Sequence, residues 1–362
     1  MSIVWPEWIR INDNLRDLTP YGAPQVDVPN RLNTNENPYS LNSEIQRSIV
    51  SSITSHVESL NRYPDRDATK LRSSLAQFIN RQTGTNVDLK NIWAANGSNE
   101  ILQSIALAFQ GDALGFEPSY SMHPLISRAV GKKWHSIPRK TDFTIDIDSA
   151  LNSIKKVSPG LIFITTPNNP TGGSTDLDSI SRIALAAREI NAIVIVDEAY
   201  AEFSSQPSAV TLIEKFPHVI VSRTMSKAFA FAGVRLGYLI ADPIIVDAMH
   251  LIRLPYHLST LTQAAAISAL ENQGSLLSDV KKIIESRHHL AKTLSDIGLT
   301  VMPSDANFLL VGGFSSEPQE IWKALVDQGI LIRDVGIPGY LRITIGTESE
   351  NQKLVSALKK LS

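Results

Sequence analysis

Apolar residues recur at the helical period in ATKLRSSLAQFINRQTG, which predicts an amphipathic helix that stops at Gly84. A polar-faced helix is expected before it, roughly from Ser43 to Leu60. NRYPD ends that helix, because Pro64 disfavours α geometry at Tyr63. From about residue 92 the pattern becomes a β–α alternation. IWAA predicts a short strand, NGSNE a turn and ILQSIALAF a helix. LIFIT at 161–165 is a continuous apolar run, as expected for a strand covered on both faces. A helix over 176–190 opens with Asp176 as its N-cap and leads to AIVIVDEA. VIVS at 219–222 and RLGYLIA at 235–241 predict further strands. This rhythm predicts an α/β fold, a mostly parallel sheet with helices on both sides.

After LIRLPYHLST the rhythm changes. One long polar-faced helical stretch is expected over about 262–297. NFLLV, a helix near 318–328, ILIRDV, LRITIG and a terminal helix then predict a small α+β domain. Pro6, Pro20, Gly22, Pro24, Pro29 and Pro38 make the first forty residues read as an extended arm that packs on something else. The expected division is a large domain over 45–258, with 1–44 and 259–362 forming the arm and a smaller domain.

Composition narrows the chemistry. The chain has 362 residues, 43% of them hydrophobic, enough to bury a large core. Its 34 basic and 36 acidic residues nearly cancel, which argues against nucleic acid or a membrane surface as partner. There is no cysteine, so disulfides, thiolate catalysis and cysteine-ligated zinc are excluded. The eight histidines form no HExxH and no i, i+4 pair, and no metal site is expected. MSIVWPEWIRINDNLRDL lacks a basic segment followed by an apolar one, and no uncharged apolar run approaches the ~20 residues of a membrane span. A cytoplasmic protein is the expectation.

In open parallel sheets ligands bind beyond the carboxyl ends of the strands. After IWAA come Asn96, Gly97, Ser98 and Asn99, where a helix N-terminus with free N–H groups suits a phosphate. Many βα turns look like this, and no GxGxxG marks a dinucleotide site. After LIFIT comes TTPNNPTG, a rigid turn able to aim an amide side chain. After AIVIV come Asp197, Glu198, Ala199 and Tyr200: a carboxylate that must be paired if buried, and a phenol. A Walker-B magnesium ligand is the rival reading of Asp197, but no P-loop accompanies it. After VIVS comes SRTMSKAFAFAGVR, with Lys227 among small and apolar residues. Desolvation there lowers an amine's pKa and favours the neutral nucleophile, whereas a surface lysine on a loop is the bland alternative. Anion site, amide, carboxylate, phenol, lysine and arginine together match pyridoxal 5'-phosphate, which has a phosphate, a phenolic oxygen, a ring nitrogen and an aldehyde.

LNTNENPY, LNRYPDRDATKLR, AANGSNEIL, PSYSMHP, TPNNPTG, VDEAYAEF, SRTMSKAFAFAGVRLGY and LRITIGT, in that order, resemble the class II aminotransferases of fold type I. NENPY, NRYPD and LIRDVGIPGYLRITIGT resemble their histidinol-phosphate branch. The resemblance spans about residues 10–358. It implies a large domain with a mostly parallel seven-stranded sheet, and transfer of an amino group between histidinol phosphate and 2-oxoglutarate, giving glutamate, in histidine biosynthesis. It implies Lys227 as the amine that joins the cofactor's aldehyde and moves the proton, Asp197 as partner of the ring nitrogen, and Asn169 and Tyr200 as partners of the phenolic oxygen. Ser98, Asn99, Thr224, Ser226 and Arg235 would hold the phosphate, and Tyr120 would stack on the ring. Many relatives carry aspartate where this chain has Asn99, but a backbone N–H role does not need that carboxylate. Arg342 would clamp the α-carboxylate of glutamate. Tyr21, Asn35 and Arg333 would line the substrate pocket, with Arg333 on the substrate's phosphate. Tyr63 would reach the cofactor phosphate of a partner subunit, which requires a homodimer. The same residue set also serves an aromatic aminotransferase acting on phenylalanine, or a decarboxylase of phosphate-ester amino acids on this fold.

Overall fold

The computed structural model describes residues 5–361. In chain order its main elements begin with β1 (Asn30–Arg31), α1 (Ser43–Thr54), α2 (Thr69–Thr83), β2 (Ile92–Ala95), α3 (Ser98–Ala108), β3 (Ala113–Glu117), α4 (Met122–Ala129) and β4 (Trp134–Pro138). Next come α5 (Ile147–Val157), β5 (Leu161–Thr165), α6 (Leu177–Glu189), β6 (Ile193–Asp197), β7 (Val219–Thr224), β8 (Gly237–Ile240) and α7 (Pro243–Ile252). The rest is α8 (Thr260–Glu271), α9 (Gln273–Asp296), β9 (Thr300–Val301), β10 (Phe308–Gly312), α10 (Pro318–Asp327), β11 (Ile330–Leu331), β12 (Tyr340–Thr344) and α11 (Glu348–Leu358).

Seven strands form one sheet in the order β2-β8-β7-β6-β5-β3-β4. Pairings among β3 to β7 are parallel, while β8 runs antiparallel to both β7 and β2. Every residue of β5 and β7 is buried, because helices cover both faces. One apolar cluster contains Leu114, Ile162, Val194 and Val221, and a second contains Ala113, Phe163, Ile195 and Ile220. These are alternate residues of the same strands, pointing to opposite faces. Asp176 caps α6 by accepting from the Ser179 N–H at 2.8 Å, and α2 ends at Gly84 with φ +70°.

Three expectations are corrected. The first helix ends at Thr54, not Leu60, and only a short turn over Val57–Ser59 follows. Ser55 Oγ donates to the Ser52 carbonyl at 2.7 Å and His56 Nδ1 lies 2.8 Å from the same oxygen, so side chains occupy an acceptor the helix would need. The stretch over 262–297 is two helices, α8 and α9, parted at Asn272. Its Nδ2 donates to Ser268 O at 2.8 Å and to Ser48 Oγ at 3.2 Å, which closes α8 against α1. ILIRDV is a strand for only Ile330–Leu331, and it pairs in parallel with Asn30–Arg31 of the arm rather than joining a larger sheet. β12, β10 and β9 form a separate antiparallel sheet.

The arm packs on its own chain. Asn14 Nδ2 donates to Arg128 O at 2.6 Å, and Asn33 Nδ2 donates to Pro24 O at 3.0 Å. No helix among the described residues is long and apolar enough to cross a membrane.

Candidate active site

The ends of β5, β6 and β7, the turn before α3 and the strap 33–36 surround a cavity of about 460 Å³. Register explains the meeting: Thr165 lies opposite Asp197, and Asp197 opposite Ser222, so three parallel strands end at one level. Tyr21, Asn35, Ser98, Asn99, Tyr120, Asn169, Asp197, Tyr200, Thr224, Ser226, Lys227, Arg235, Arg333 and Arg342 all line it. Tyr63 does not; it is 79% exposed and stacks on Tyr256 elsewhere on the surface.

Lys227 Nζ donates to the Thr34 carbonyl at 2.9 Å. Burial, with help from Arg342 and Arg235 and against Glu36, pushes its pKa down to about 8. Asp197 is 2% exposed. His123 Nε2 lies 3.1 Å from its Oδ2, while Oδ1 has no partner among the described residues. A buried carboxylate oxygen in that state calls for a positively charged donor. Tyr200 hydroxyl accepts from Asn35 Nδ2 at 2.9 Å and from Asn169 Nδ2 at 3.4 Å. Burial, more than any neighbour, raises its pKa. Asn35 sits at φ +56°, a left-handed conformation that asparagine tolerates better than most residues.

Also lining the cavity, Thr224 Oγ1 donates to Ser226 Oγ at 3.0 Å and accepts from the Ser226 N–H at 3.1 Å. Ser98 and Asn99 open α3. Two glycines bring this turn close to β8 and to Arg235. A Cβ on Gly97 would sit 2.7 Å from Arg235 Nη2, and one on Gly237 would sit 2.4 Å from Ser98 N. Gly97 also has φ +85° and ψ 165°, a region essentially confined to glycine. Gly97→Ala should therefore cost ~1–3 kcal/mol of stability and displace the guanidinium. Thermal unfolding and a cofactor titration check this; unchanged values in both would refute the crowding.

Arg342 and Arg333 face each other across an antiparallel bridge, exchanging backbone hydrogen bonds of 2.8 and 3.0 Å. Arg342 is 8% exposed, donates to Asn169 Oδ1 and to Asn33 O, and has no partner for Nε among the described residues. Arg333 stands over the Tyr21 ring, 5.9 Å from its centroid. Tyr120 hydroxyl donates to Asn99 Oδ1 at 3.1 Å.

The family model described as Aminotransferase class I and II matches residues 30–358. The chain belongs to this aminotransferase family. It is 52% identical over 355 residues to the histidinol-phosphate aminotransferase of Mycobacterium sp. (strain JLS), covering 97% of this chain and 93% of that one. It is 52% identical over 353 residues to the histidinol-phosphate aminotransferase of Nocardia farcinica, covering 96% of this chain and 91% of that one. The crystal structure of histidinol-phosphate aminotransferase from Sinorhizobium meliloti in complex with pyridoxal-5'-phosphate superposes with a TM-score of 0.83 at 24% identity, covering 97% of each chain. At that identity the likeness bears on the fold, which is the expected fold type I aminotransferase architecture.

The residues present fit pyridoxal 5'-phosphate. The unpartnered Asp197 Oδ1 suits a protonated ring nitrogen, the Gly97–Arg235 cradle suits a phosphate, and Lys227 lines the same cavity. Sequence reasoning missed four contributors. Thr34 accepts from Lys227 and Glu36 acts on its charge from the strap, His123 backs Asp197, and Asn33 holds Arg342 through its carbonyl. Only the segments LNTNENPY and PSYSMHP drew attention to these stretches, without saying which side chains turn inward.

Proposed function

We propose that this aminotransferase uses pyridoxal 5'-phosphate to move the amino group of L-histidinol phosphate to 2-oxoglutarate, giving imidazole acetol phosphate and L-glutamate. The paired arginines carry this reading. The donor is a phosphate ester without a carboxylate, and the acceptor is a dicarboxylate. Two guanidinium groups side by side at one cavity suit both. The curated relatives, about half identical over nearly the whole chain, support it. The cytoplasmic setting and the division into a large domain over 45–258 and a smaller one belong to the same proposal.

When bound, the cofactor supplies an electron sink for the charge that develops at the substrate carbon. Lys227 Nζ carries the proton to and from that carbon, and its lowered pKa keeps a neutral amine within reach near neutral pH. Asp197 holds the ring nitrogen's proton. Its other oxygen is already steadied by His123. Tyr200 and Asn169 bind the phenolic oxygen, and Asn35 orients Tyr200. Thr224, Ser226, Arg235 and the N–H groups of Ser98 and Asn99 take the cofactor's phosphate. Tyr120 packs on the ring, oriented by Asn99. Arg342 takes the α-carboxylate of glutamate. Arg333, with Tyr21 beside it, takes the phosphate of histidinol phosphate.

Tyr63 enters the site of a second copy and donates to its cofactor's phosphate, making the working unit a homodimer. Support comes from the two segments that carry the stacked rings: Leu60, Leu254 and Tyr256 are large, apolar and 41–75% exposed, as residues at a protein interface are.

Glutamate formation from 2-oxoglutarate, with histidinol phosphate or phenylalanine as donor, tests the proposal. Histidinol phosphate should give the higher kcat/KM, by at least ~10-fold. A preference for phenylalanine would replace it with an aromatic aminotransferase. Arg333→Ala should lower kcat/KM for histidinol phosphate by ~10- to ~100-fold, the loss of a charge-assisted phosphate contact, with a much smaller effect on glutamate. Equal losses would mean that Arg333 does not read the phosphate.

A further inference from the structure

Tyr63 stands on the loop before α2 and is 79% exposed. It is not unsupported. The Tyr256 ring lies against it, centroids 4.4 Å apart and planes 16° from parallel. Tyr256 holds a left-handed backbone, φ +58°, unusual for a bulky residue. Its neighbours explain what keeps it there. Asn96 Nδ2 donates to the His257 carbonyl at 2.8 Å, His257 Nε2 lies 2.9 Å from Ala94 O, and the His257 ring stacks on Trp93 at 5.5 Å. On the other side of Tyr256, Arg253 donates to Arg66 O at 2.8 Å and pairs with the Asp67 carboxylate. Gln263 Nε2 donates to Asp65 O at 3.0 Å. Residues 253–263 therefore grip the Tyr63 loop through its backbone just after the tyrosine, and the two rings extend that grip to the side chain.

We propose that Tyr256 is a positioning residue for Tyr63. It holds the Tyr63 ring in one orientation before and after a second copy receives it. This rests on the reading that Tyr63 reaches the partner's cofactor phosphate. An exposed tyrosine loses rotamer freedom when its hydroxyl is captured, and a ring already stacked has less to lose. Stacking also leaves the hydroxyl at the ring's far end free to donate. The Tyr256 segment is anchored by Asn96 to the turn that opens α3. The tyrosine lent to the partner and the phosphate turn kept at home thus share one support.

The test is a double-mutant cycle read as the dissociation constant of pyridoxal 5'-phosphate for the dimer, with sedimentation to follow assembly. Tyr256→Asn removes the ring but leaves a residue that tolerates the left-handed backbone. It should weaken cofactor binding by ~2- to ~10-fold in the native background, the size expected of one aromatic pair, and not further in a Tyr63→Ala background. Tyr256→Phe, which keeps the ring, should restore native affinity. Equal losses in both backgrounds would overturn the proposal, because Tyr256 would then act without Tyr63. Dissociation of the Tyr256→Asn dimer while Tyr63→Ala stays dimeric would also overturn it, since the ring would be holding subunits rather than a side chain. If Tyr63→Ala alone leaves affinity unchanged, the underlying reading of Tyr63 falls and takes this inference with it. That outcome is distinct from the other two.

Discussion

Lys227→Ala is expected to abolish transamination, lowering kcat by more than ~10⁴-fold, the upper range for loss of a positioned proton-transfer group. The lysine has no substitute: its neighbours Ala228 and Phe229 are buried and apolar, and the other cations at the cavity are arginines, which stay protonated. The variant should still take up pyridoxal 5'-phosphate, because Arg235, Thr224 and Ser226 remain. It should lack the absorbance band of a lysine-bound aldehyde, and a retained band would put the covalent bond elsewhere. A pH dependence follows from the same geometry. Burial disfavours the ammonium form, so the pKa falls to about 8 and the neutral amine becomes abundant as pH rises through that value. The rate at which native apoprotein captures the aldehyde should rise with a midpoint near 8. A midpoint near an ordinary lysine's value would show that Lys227 is solvated.

The second large effect belongs to Asp197. Asp197→Asn keeps the shape and a hydrogen-bonding oxygen but removes the charge proposed to hold a proton on the ring nitrogen. Loss of such preorganised charge costs ~10²–10³-fold in kcat. Cofactor affinity should fall less, because Thr224, Ser226 and Arg235, the residues proposed for the phosphate, are untouched. Single-turnover rates and a cofactor titration separate the two quantities. A variant that keeps more than a tenth of native kcat would sink the assignment. His123, buried against Oδ2, makes the outcome sharper. It fixes which oxygen is committed to the protein and which is left without a partner.

Much of the cavity wall was legible along the chain. Asp197, Asn169 and Lys227 each follow an apolar strand, and parallel strands of similar length end on one edge. A run such as AIVIVD therefore carries both burial and direction. The helix after IWAA and the glycine between them were legible for the same reason. The arginines were legible in ILIRDV and LRITIG; Arg333 lies beyond the end of β11, yet it faces Arg342 across an isolated bridge. The break at Asn272 was not. Its cause is a hydrogen bond to Ser48, 224 residues earlier in the chain, which no local period reports. The early end of α1 was hidden in polar side chains whose choice between solvent and a backbone carbonyl is a matter of geometry.

By itself, then, the sequence determined the α/β alternation, the strand-end residues and, through its motifs, the family. These depend on periodicity and on residue type, both local properties of the chain. Tertiary structure alone decided which groups complete the site: Thr34 against Lys227, His123 behind Asp197, Asn33 beside Arg342 and Tyr256 under Tyr63. Each of these contacts joins segments 74 to 309 residues apart or, for the two tyrosines, two surface loops on either side of the large sheet in sequence. Hydrophobic pattern says which face of a segment is buried. It does not say which distant segment arrives there, because that is set by how the packed elements share the core and by the closing of hydrogen bonds that burial would otherwise leave unmade.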